Sequence, residues 1–243
     1  MEKELDRSRE IIICFIYTIN IEGETTMKVL KPLQMQAYEY MKGKILNNEF
    51  TPGEIYSETK IATEIGISRT PFRDAIQRLV QEGYIDIIPS KGFMLHEMEV
   101  RDIVETFQIR TAIEGYCAIL AAKEAKSEKA KTLFRELDKL MDALDKFAEE
   151  DNISQFVEYD NQFHLKLVAY AGNSVFDEMF GMYIHRIRNM ASSSLMHPGR
   201  VAETLKEHKD IVKAMKSGDI AEVNNAIAAH MERPKEIMLG SYK

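Results

Sequence analysis

Residues 57–96 contain a closely spaced series of helix caps, glycines and turn residues that limits this segment to few folds. Ser57 can begin a short helix, because its hydroxyl can accept a hydrogen bond from a free backbone N–H group, and Gly66 is suited to end that helix. Ser68 is predicted to cap the next helix, which Gly83 ends. Two short helices joined by a tight glycine turn are typical of a helix-turn-helix.

The flanking segments complete a larger motif. Apolar spacing over residues 34–47 predicts one more helix before the pair. Two β-prone runs, 84–88 and 93–96, surround the turn Pro89-Ser90-Lys91-Gly92 and predict a β-hairpin. A helix-turn-helix followed by a hairpin is a winged helix, which we assign to residues 27–96.

The charge of the chain is unevenly distributed. The 243 residues carry a formal net charge of -7, which by itself argues against a nucleic-acid-binding protein. Residues 27–96, however, carry nine basic and eight acidic side chains, while residues 1–26 have a charge of -3 and residues 97–243 of -5. Because salt screens charges farther away than about 10 Å, a local arginine cluster can still bind phosphate.

The run ETKIATEIGISRTPFRDAIQRLVQEGYIDIIPSKGF resembles the DNA-binding domain of the GntR superfamily of bacterial regulators. The resemblance implies that Arg69 and Arg73 read bases, and that Ser68 and Thr70 hold the DNA backbone. The chemistry agrees, because a helix N-terminus attracts phosphate and an arginine fork can grip guanine in the major groove. The alternative is a surface helix whose arginines are solvent-exposed and have no role in DNA binding.

The resemblance also implies that Lys91 and Gly92, at the tip of the wing, approach the minor groove. Arg78 has two open interpretations, as a solvated charge or as an ion-pair partner. Many relatives place an arginine early in the second helix, where this chain has Thr59. Operator affinity or site preference is therefore expected to differ from the family norm.

Residues 97–243 have helical spacing throughout, with breaks at Ala171-Gly172-Asn173, His197-Pro198-Gly199 and Ser217-Gly218-Asp219. The fold class is therefore mainly α, a winged helix-turn-helix followed by an all-α antiparallel bundle. Six helices are predicted, at about 99–125, 127–149, 152–171, 174–195, 199–217 and 219–239.

Four side chains of this bundle are candidate metal ligands. Asp160 and His164 are four residues apart and share one helix face. His208 and His230 lie at equal distances from the turn near Asp219, so an antiparallel helix pair brings them face to face. One carboxylate and three imidazoles from three helices would hold a divalent metal with open positions. The alternative is that each is an ordinary helix residue.

The bundle segment is similar to the ligand-sensing domain, called FCD, of the FadR-type GntR subfamily. The resemblance supplies the same four metal ligands and adds Arg110, which would bind a small carboxylate effector through a bidentate guanidinium. The alternative for Arg110 is an ion pair with Glu114 on the same face. Further pocket candidates, on the fourth helix of the bundle, are Arg186, Arg188, Asn189 and Ser193.

The apolar run Ile11–Ile21 has eleven residues, too few for a bilayer, which takes roughly 20. It is expected to be an extra strand or helix, or else Met27 is the usual start and residues 1–26 an extension of unknown role. The two cysteines, Cys14 and Cys117, exclude a disulfide framework and favour a reducing compartment.

These features together predict a cytoplasmic, homodimeric, metabolite-responsive transcription factor, in this family most often a repressor. Its partners would be a double-stranded DNA operator, a small carboxylate and a Zn, Ni or Mn ion, with no membrane. One alternative is a purely structural metal site without an effector. A metal-dependent hydrolase is disfavoured, because the sequence places no glutamate or other base evidently beside the ligands.

Overall fold

The computed structural model describes residues 15–19, 25–29 and 31–242. The chain divides into two compact units, the first ending at His96 and the second beginning at Glu97. Each unit has its own hydrophobic core.

Two short strands precede the first helix. They are β1 (Phe15–Ile19) and β2 (Thr25–Val29), which pair antiparallel. Part of the apolar run is therefore strand β1, and Met27 lies within β2. The remainder of the run, and most of the predicted extension 1–26, lie outside the described residues.

The next three helices and two strands confirm the predicted winged helix-turn-helix. The hydroxyl of Ser57 accepts a hydrogen bond from the backbone N–H of Lys60 at 3.4 Å, and Gly66 has a φ of 67°. Ser68 precedes its helix as predicted, but its side chain makes no capping hydrogen bond, so that part of the prediction is wrong. The elements are α1 (Leu33–Leu46), α2 (Glu58–Glu64), α3 (Arg69–Gln81), β3 (Ile85–Ile88) and β4 (Gly92–Leu95).

A buried carboxylate joins α1 to the end of α3. Tyr38 donates a hydrogen bond to Glu82 at 2.6 Å, and the Nε of Arg78 donates to the same carboxylate at 2.9 Å. The Arg78 guanidinium also lies 4.0 Å from the centre of the Tyr38 ring. Of its two interpretations, Arg78 is therefore an ion-pair partner.

The wing packs against the loop before α2 through backbone contacts. Tyr56 and Phe93 exchange two backbone hydrogen bonds, of 2.8 and 3.0 Å. A Cβ atom at Gly92, whose φ is 136°, would lie 2.0 Å from the carbonyl oxygen of Tyr56. Only glycine allows this close approach, so the wing glycine has a structural reason that is independent of DNA.

The second unit contains six helices among its described residues, which confirms the predicted bundle. Left-handed glycines lie at the predicted breaks, with φ of 62° at Gly172, 81° at Gly199 and 78° at Gly218. No helix in the described part of the chain is long and apolar enough to cross a membrane. The helices are α4 (Val100–Lys123), α5 (Glu128–Glu149), α6 (Ile153–Ala169), α7 (Ser174–Leu195), α8 (Arg200–Ser217) and α9 (Ile220–Gly240).

Candidate nucleic-acid interface and metal centre

One cleft of the first unit brings together the N-terminus of α3 and the wing. Arg69, Arg73, Lys91 and Gly92 line it, and its volume is about 520 Å³. The three cationic side chains belong to exposed residues, and Ser68 and Thr70 are also exposed beside them at the start of α3. The sequence reasoning missed Glu58, an acidic residue that lines the same cleft.

The arginines of α3 differ in how they are held. Within the part of the chain that the structure describes, no ion pair engages Arg69 or Arg73, whereas Arg78 is bound to Glu82. The first two are therefore available to an anionic partner, and the third is part of the fold. Thr59 also lines the cleft, at the slot where many relatives carry arginine.

The four predicted metal ligands meet inside the bundle. Ligand atoms of His164, His208 and His230, from α6, α8 and α9, all lie within 4.8 Å of one another. The Oδ1 atom of Asp160 lies 3.5 Å from Nε2 of His208 and 3.8 Å from Nε2 of His164. All four residues are buried.

The imidazoles present nitrogen atoms that lack partners among the described residues. Neither ring nitrogen of His208 makes a hydrogen bond, and Nε2 of His230 makes none. Burial, and then the neighbouring cationic groups, lower the pKa of His208 well below its usual value; burial also lowers that of His230. Buried, neutral, unpartnered nitrogens are the donors that a divalent transition metal takes, so the residues present fit such an ion.

Two glutamates stand behind the histidines, and the expectation that no glutamate lies beside the ligands is wrong. Glu114 lies 2.5 Å from Nδ1 of His164, and Glu207 lies 2.9 Å from Nδ1 of His230. Because a carboxylate only accepts, each ring carries its proton on Nδ1 and turns the lone pair of Nε2 to the ligand cluster. Both carboxylates therefore bind the rings on the side away from the cluster, where they fix the orientation of the two imidazoles.

Each glutamate also binds an arginine. The Nε of Arg110 donates to Glu114 at 2.7 Å, and its Nη2 lies 3.1 Å from Nε2 of His164. Burial would raise the pKa of Glu114, but Arg110 and then His164 outweigh it and hold that pKa at about 2. The ion pair weighed as an alternative for Arg110 is therefore present, and the same side chain lines the cavity beside the ligands.

Arg200 forms the second such arrangement, which the sequence reasoning missed. Its two terminal nitrogens donate to Glu207 at 2.5 and 2.6 Å, and the residue is 2% exposed. Burial would raise the pKa of Glu207, but hydrogen bonds from His230 and Arg200 lower it. The seven-residue spacing between Arg200 and Glu207, immediately before His208, is the signal that could have located it.

A small cavity of about 20 Å³ lies between these groups, with room for about one water molecule or ion. Arg110, Asp160, His164 and His230 line it, and Ser194 of α7 lines it as well. The four further pocket candidates on α7 do not line this cavity: Arg186 pairs with Asp102 at 3.1 Å, Arg188 with Glu158 at 2.7 Å, and Asn189 and Ser193 are exposed.

Known families match both units. The FCD domain family matches residues 105–233, which is more than half of the chain, and the family described as bacterial regulatory proteins, gntR family, matches residues 33–95. The chain belongs to the GntR family of regulators, in its FadR-type, FCD-containing branch. It is a transcriptional regulator and not an enzyme.

Relatives of this regulator carry corresponding names. The HTH-type transcriptional repressor RspR of Escherichia coli (strain K12) is 26% identical over 88% of this chain and 92% of its own length. The HTH-type transcriptional regulator YdhC of Bacillus subtilis (strain 168) is 25% identical over 84% and 90%. The solved structure of E. coli McbR/YncC covers 88% of the regulator and 100% of its own chain, with a TM-score of 0.65 and 21% identity, and shares its fold.

Proposed function

We propose that the regulator is a metabolite-responsive repressor whose FCD domain binds a divalent metal ion and a small carboxylate effector. The observation that carries this proposal is the convergence of Asp160, His164, His208 and His230 beside one small, buried cavity. Among the described residues, three of their ring nitrogens, two on His208 and one on His230, have no hydrogen-bond partner. The name of RspR supports the repressor assignment.

The types of ligand limit which metal ion can bind. Three imidazoles and one carboxylate without a thiolate suit Zn²⁺, Ni²⁺ or Mn²⁺. The Nε2 atom of His230, a ring nitrogen of His208 and the carboxylate of Asp160 would hold the ion. The Nε2 atom of His164 would join them once Arg110, whose Nη2 lies 3.1 Å away, releases its lone pair. When bound, the ion supplies positive charge and open positions for carboxylate oxygens.

Buried charge explains why an anion would be attracted. Asp160, Glu114 and Glu207 supply three negative charges, against two positive charges from Arg110 and Arg200. With neutral imidazoles the site is one charge negative without a metal and one charge positive with a divalent ion. Arg110, which already lines the cavity, is the proposed partner of the effector carboxylate.

For DNA, we infer that Arg69 and Arg73 read bases from the α3 side of the cleft, with backbone contacts from Ser68 and Thr70. Lys91 and Gly92 would meet the minor groove. This assignment rests on the exposure of these side chains and on the arginines being unpaired within the described part of the protein. An effector alters operator affinity only by favouring one arrangement of the protein, typically by about 1–3 kcal/mol, or 5–150-fold.

The proposed functional form is a homodimer in the cytoplasm, because two recognition helices can occupy the half-sites of a pseudo-palindrome. Val175, Met179 and Met182 are 57, 38 and 37% exposed and share one face of α7. Tyr116 of α4, 54% exposed, packs on the ring of Phe176 in the same region. Such an apolar face suits a second copy of the chain.

The metal proposal is tested by elemental analysis and thermal denaturation of the full chain. Purified protein is expected to contain a divalent ion, and added Zn²⁺, Ni²⁺ or Mn²⁺ should raise the melting temperature of the wild type. His208→Ala should lose the response, while His197→Ala, at an exposed histidine, should keep it. Absence of metal, with equal melting responses in wild type and His208→Ala, would contradict the proposal.

The effector proposal is tested by the same thermal assay with small carboxylates added to metal-loaded protein. A carboxylate that raises the melting temperature and changes operator affinity supports sensing. A metal site that stabilises the fold, with no response to any carboxylate, would instead favour the alternative of a purely structural ion.

The DNA proposal is tested with Arg73→Ala and Arg73→Lys in operator-binding assays. The alanine variant should lose about 1–3 kcal/mol and relax the sequence preference. The lysine variant keeps the charge but not the fork, so it should retain salt-dependent binding and still lose preference. An unchanged sequence preference in both variants would rule out base reading by Arg73.

A further inference from the structure

The cavity beside the candidate metal ligands is also lined by polar residues from the last turn of α7 and the first turns of α8, which we call its α7–α8 end. Ser194, Arg200 and Thr204 line this end, and all three residues are at most 4% exposed. They lie on either side of the short connection that contains Gly199. Arg110, by contrast, reaches the cavity from α4.

Two donors at this end have no partner within the described part of the protein. The hydroxyl oxygen of Ser194, a residue that is 2% exposed, makes no hydrogen bond, not even to the preceding turn of its own helix. The Nε of Arg200 is also unpartnered, although both terminal nitrogens of this guanidinium are held by Glu207. Buried donors without partners are costly, and the two residues that carry them line one cavity, where an oxygen of a bound molecule would satisfy both donors.

We propose that Ser194 and the Nε of Arg200 bind a second oxygen of the effector, at the end opposite its metal-binding carboxylate. The inference rests on the proposed function, and it specifies the effector as a carboxylate that also carries a hydroxyl or a second carboxylate. An N–H donor requires an acceptor, and a serine hydroxyl can donate to the same oxygen. An aliphatic tail would leave both groups unpaired.

The dimensions favour a short effector. The cavity of about 20 Å³ holds little more than one water molecule, so lining side chains must shift to admit even a three- or four-carbon acid. Arg200 is fixed by its two bonds to Glu207, which makes it a rigid donor. A site with buried donors discriminates strongly against a ligand that lacks the matching oxygen.

The test uses isothermal titration of the metal-loaded, full-length protein with two matched sets of acids. One set is butyrate, 4-hydroxybutyrate and succinate; the other is propionate, 3-hydroxypropionate and malonate. Within at least one set, the hydroxy acid or the dicarboxylate is expected to bind at least about tenfold more tightly than the plain acid. Which of the two binds more tightly identifies the second oxygen as neutral or charged.

Ser194→Ala is the decisive variant, and Ser193→Ala, at the exposed neighbouring position, is its control. Ser194→Ala should reduce the advantage of the oxygenated acid by about fivefold to tenfold while leaving the plain acid unchanged. Because its hydroxyl has no protein partner, the variant should melt no lower than the wild type. Ser193→Ala should behave as the wild type in both assays.

The outcomes separate this inference from the proposed function. If all three acids of each set bind equally, or if Ser194→Ala weakens all of them alike, the inference is wrong and carboxylate sensing stands. If no acid binds metal-loaded protein, the carboxylate role and the inference fail together. If the metal itself does not bind, the proposed metal site fails.

Discussion

Replacing Gly92 with alanine is expected to destabilise the wing strongly, apart from any effect on DNA. The new Cβ would lie 2.0 Å from the carbonyl oxygen of Tyr56 and 2.9 Å from its carbonyl carbon. These are backbone atoms of a loop that exchanges two hydrogen bonds with Phe93, so they move only if those bonds break. The φ of 136° is, in addition, a conformation that alanine rarely adopts.

The expected loss of stability has two contributions, the strained backbone conformation and the loss of hydrogen bonds. A residue forced into such a backbone region costs about 1–3 kcal/mol. Losing the two bonds between Tyr56 and Phe93 adds about 0.5–1.5 kcal/mol each. Together, Gly92→Ala should lower the free energy of wing opening by about 3 kcal/mol, which raises the open population by roughly a hundredfold. Gly53→Ala is the control. Its φ is 80°, but no atom of the described residues lies within 4 Å of the added Cβ, so only about 1–2 kcal/mol is expected.

The measurement is hydrogen exchange of peptides that cover residues 84–96, compared between wild type and the two variants, together with operator binding. The wing amides should lose protection in Gly92→Ala far more than amides near the turn do in Gly53→Ala. If Gly92→Ala keeps wild-type protection and still loses operator binding, the glycine serves DNA approach alone and the packing argument is refuted.

Two further variants and one cysteine provide additional tests. Arg78→Ala should lower the stability of the first unit by about 1–3 kcal/mol in urea denaturation, because Glu82 loses a partner, with sequence preference unchanged in operator binding. Tyr242→Phe removes a 2.6 Å hydrogen bond from the Tyr242 hydroxyl to the Met98 carbonyl. The backbone amides of residues 97–102 should then exchange hydrogen about fivefold faster. The metal affinity measured by calorimetry should be unchanged. Burial, and then nearby acidic groups, raise the pKa of the Cys117 thiol to about 12. Iodoacetamide at pH 8 should therefore alkylate Cys117 only after the protein unfolds. Rapid modification of Cys117 in the native protein would contradict this expectation.

Local signals made most of the fold predictable. Capping serines, turn glycines and apolar spacing act within a few residues, and the six bundle helices lie within a few residues of their predicted bounds. The side-chain bond predicted at Ser68 is absent although the helix begins there, which shows that position in a helix is easier to predict than an individual hydrogen bond. The sequence alone relates Gly92 only to DNA, because its approach to Tyr56 depends on tertiary packing.

The ligand cluster was partly predictable for a geometric reason. The spacing of Asp160 and His164, and the symmetry of His208 and His230 about one turn, follow from helix geometry alone. Ser194 has no comparable signal in the sequence, and Arg200 has only its seven-residue spacing from Glu207. Their contribution depends on how α7 and α8 pack around the cavity, which is lined by the polar side chain of Ser194 and not by that of the predicted Ser193.

The two glutamates explain why metal and anion should bind cooperatively. Glu114 joins Arg110 to His164, and Glu207 joins Arg200 to His230, so each carboxylate divides its charge between a guanidinium and a ligand ring. When an anion binds the arginine, the glutamate interacts less with the arginine and more strongly with the histidine ring. The stronger hydrogen bond at Nδ1 makes Nε2 of that ring a stronger electron-pair donor to the metal ion. By linkage, the metal must raise the affinity for the anion by the same factor. Calorimetry should therefore measure the metal affinity with and without the anion, and the anion affinity with and without the metal. We expect both affinities to rise by the same factor, greater than one. A factor of one would mean that the paired arginines are not coupled to the ligand rings.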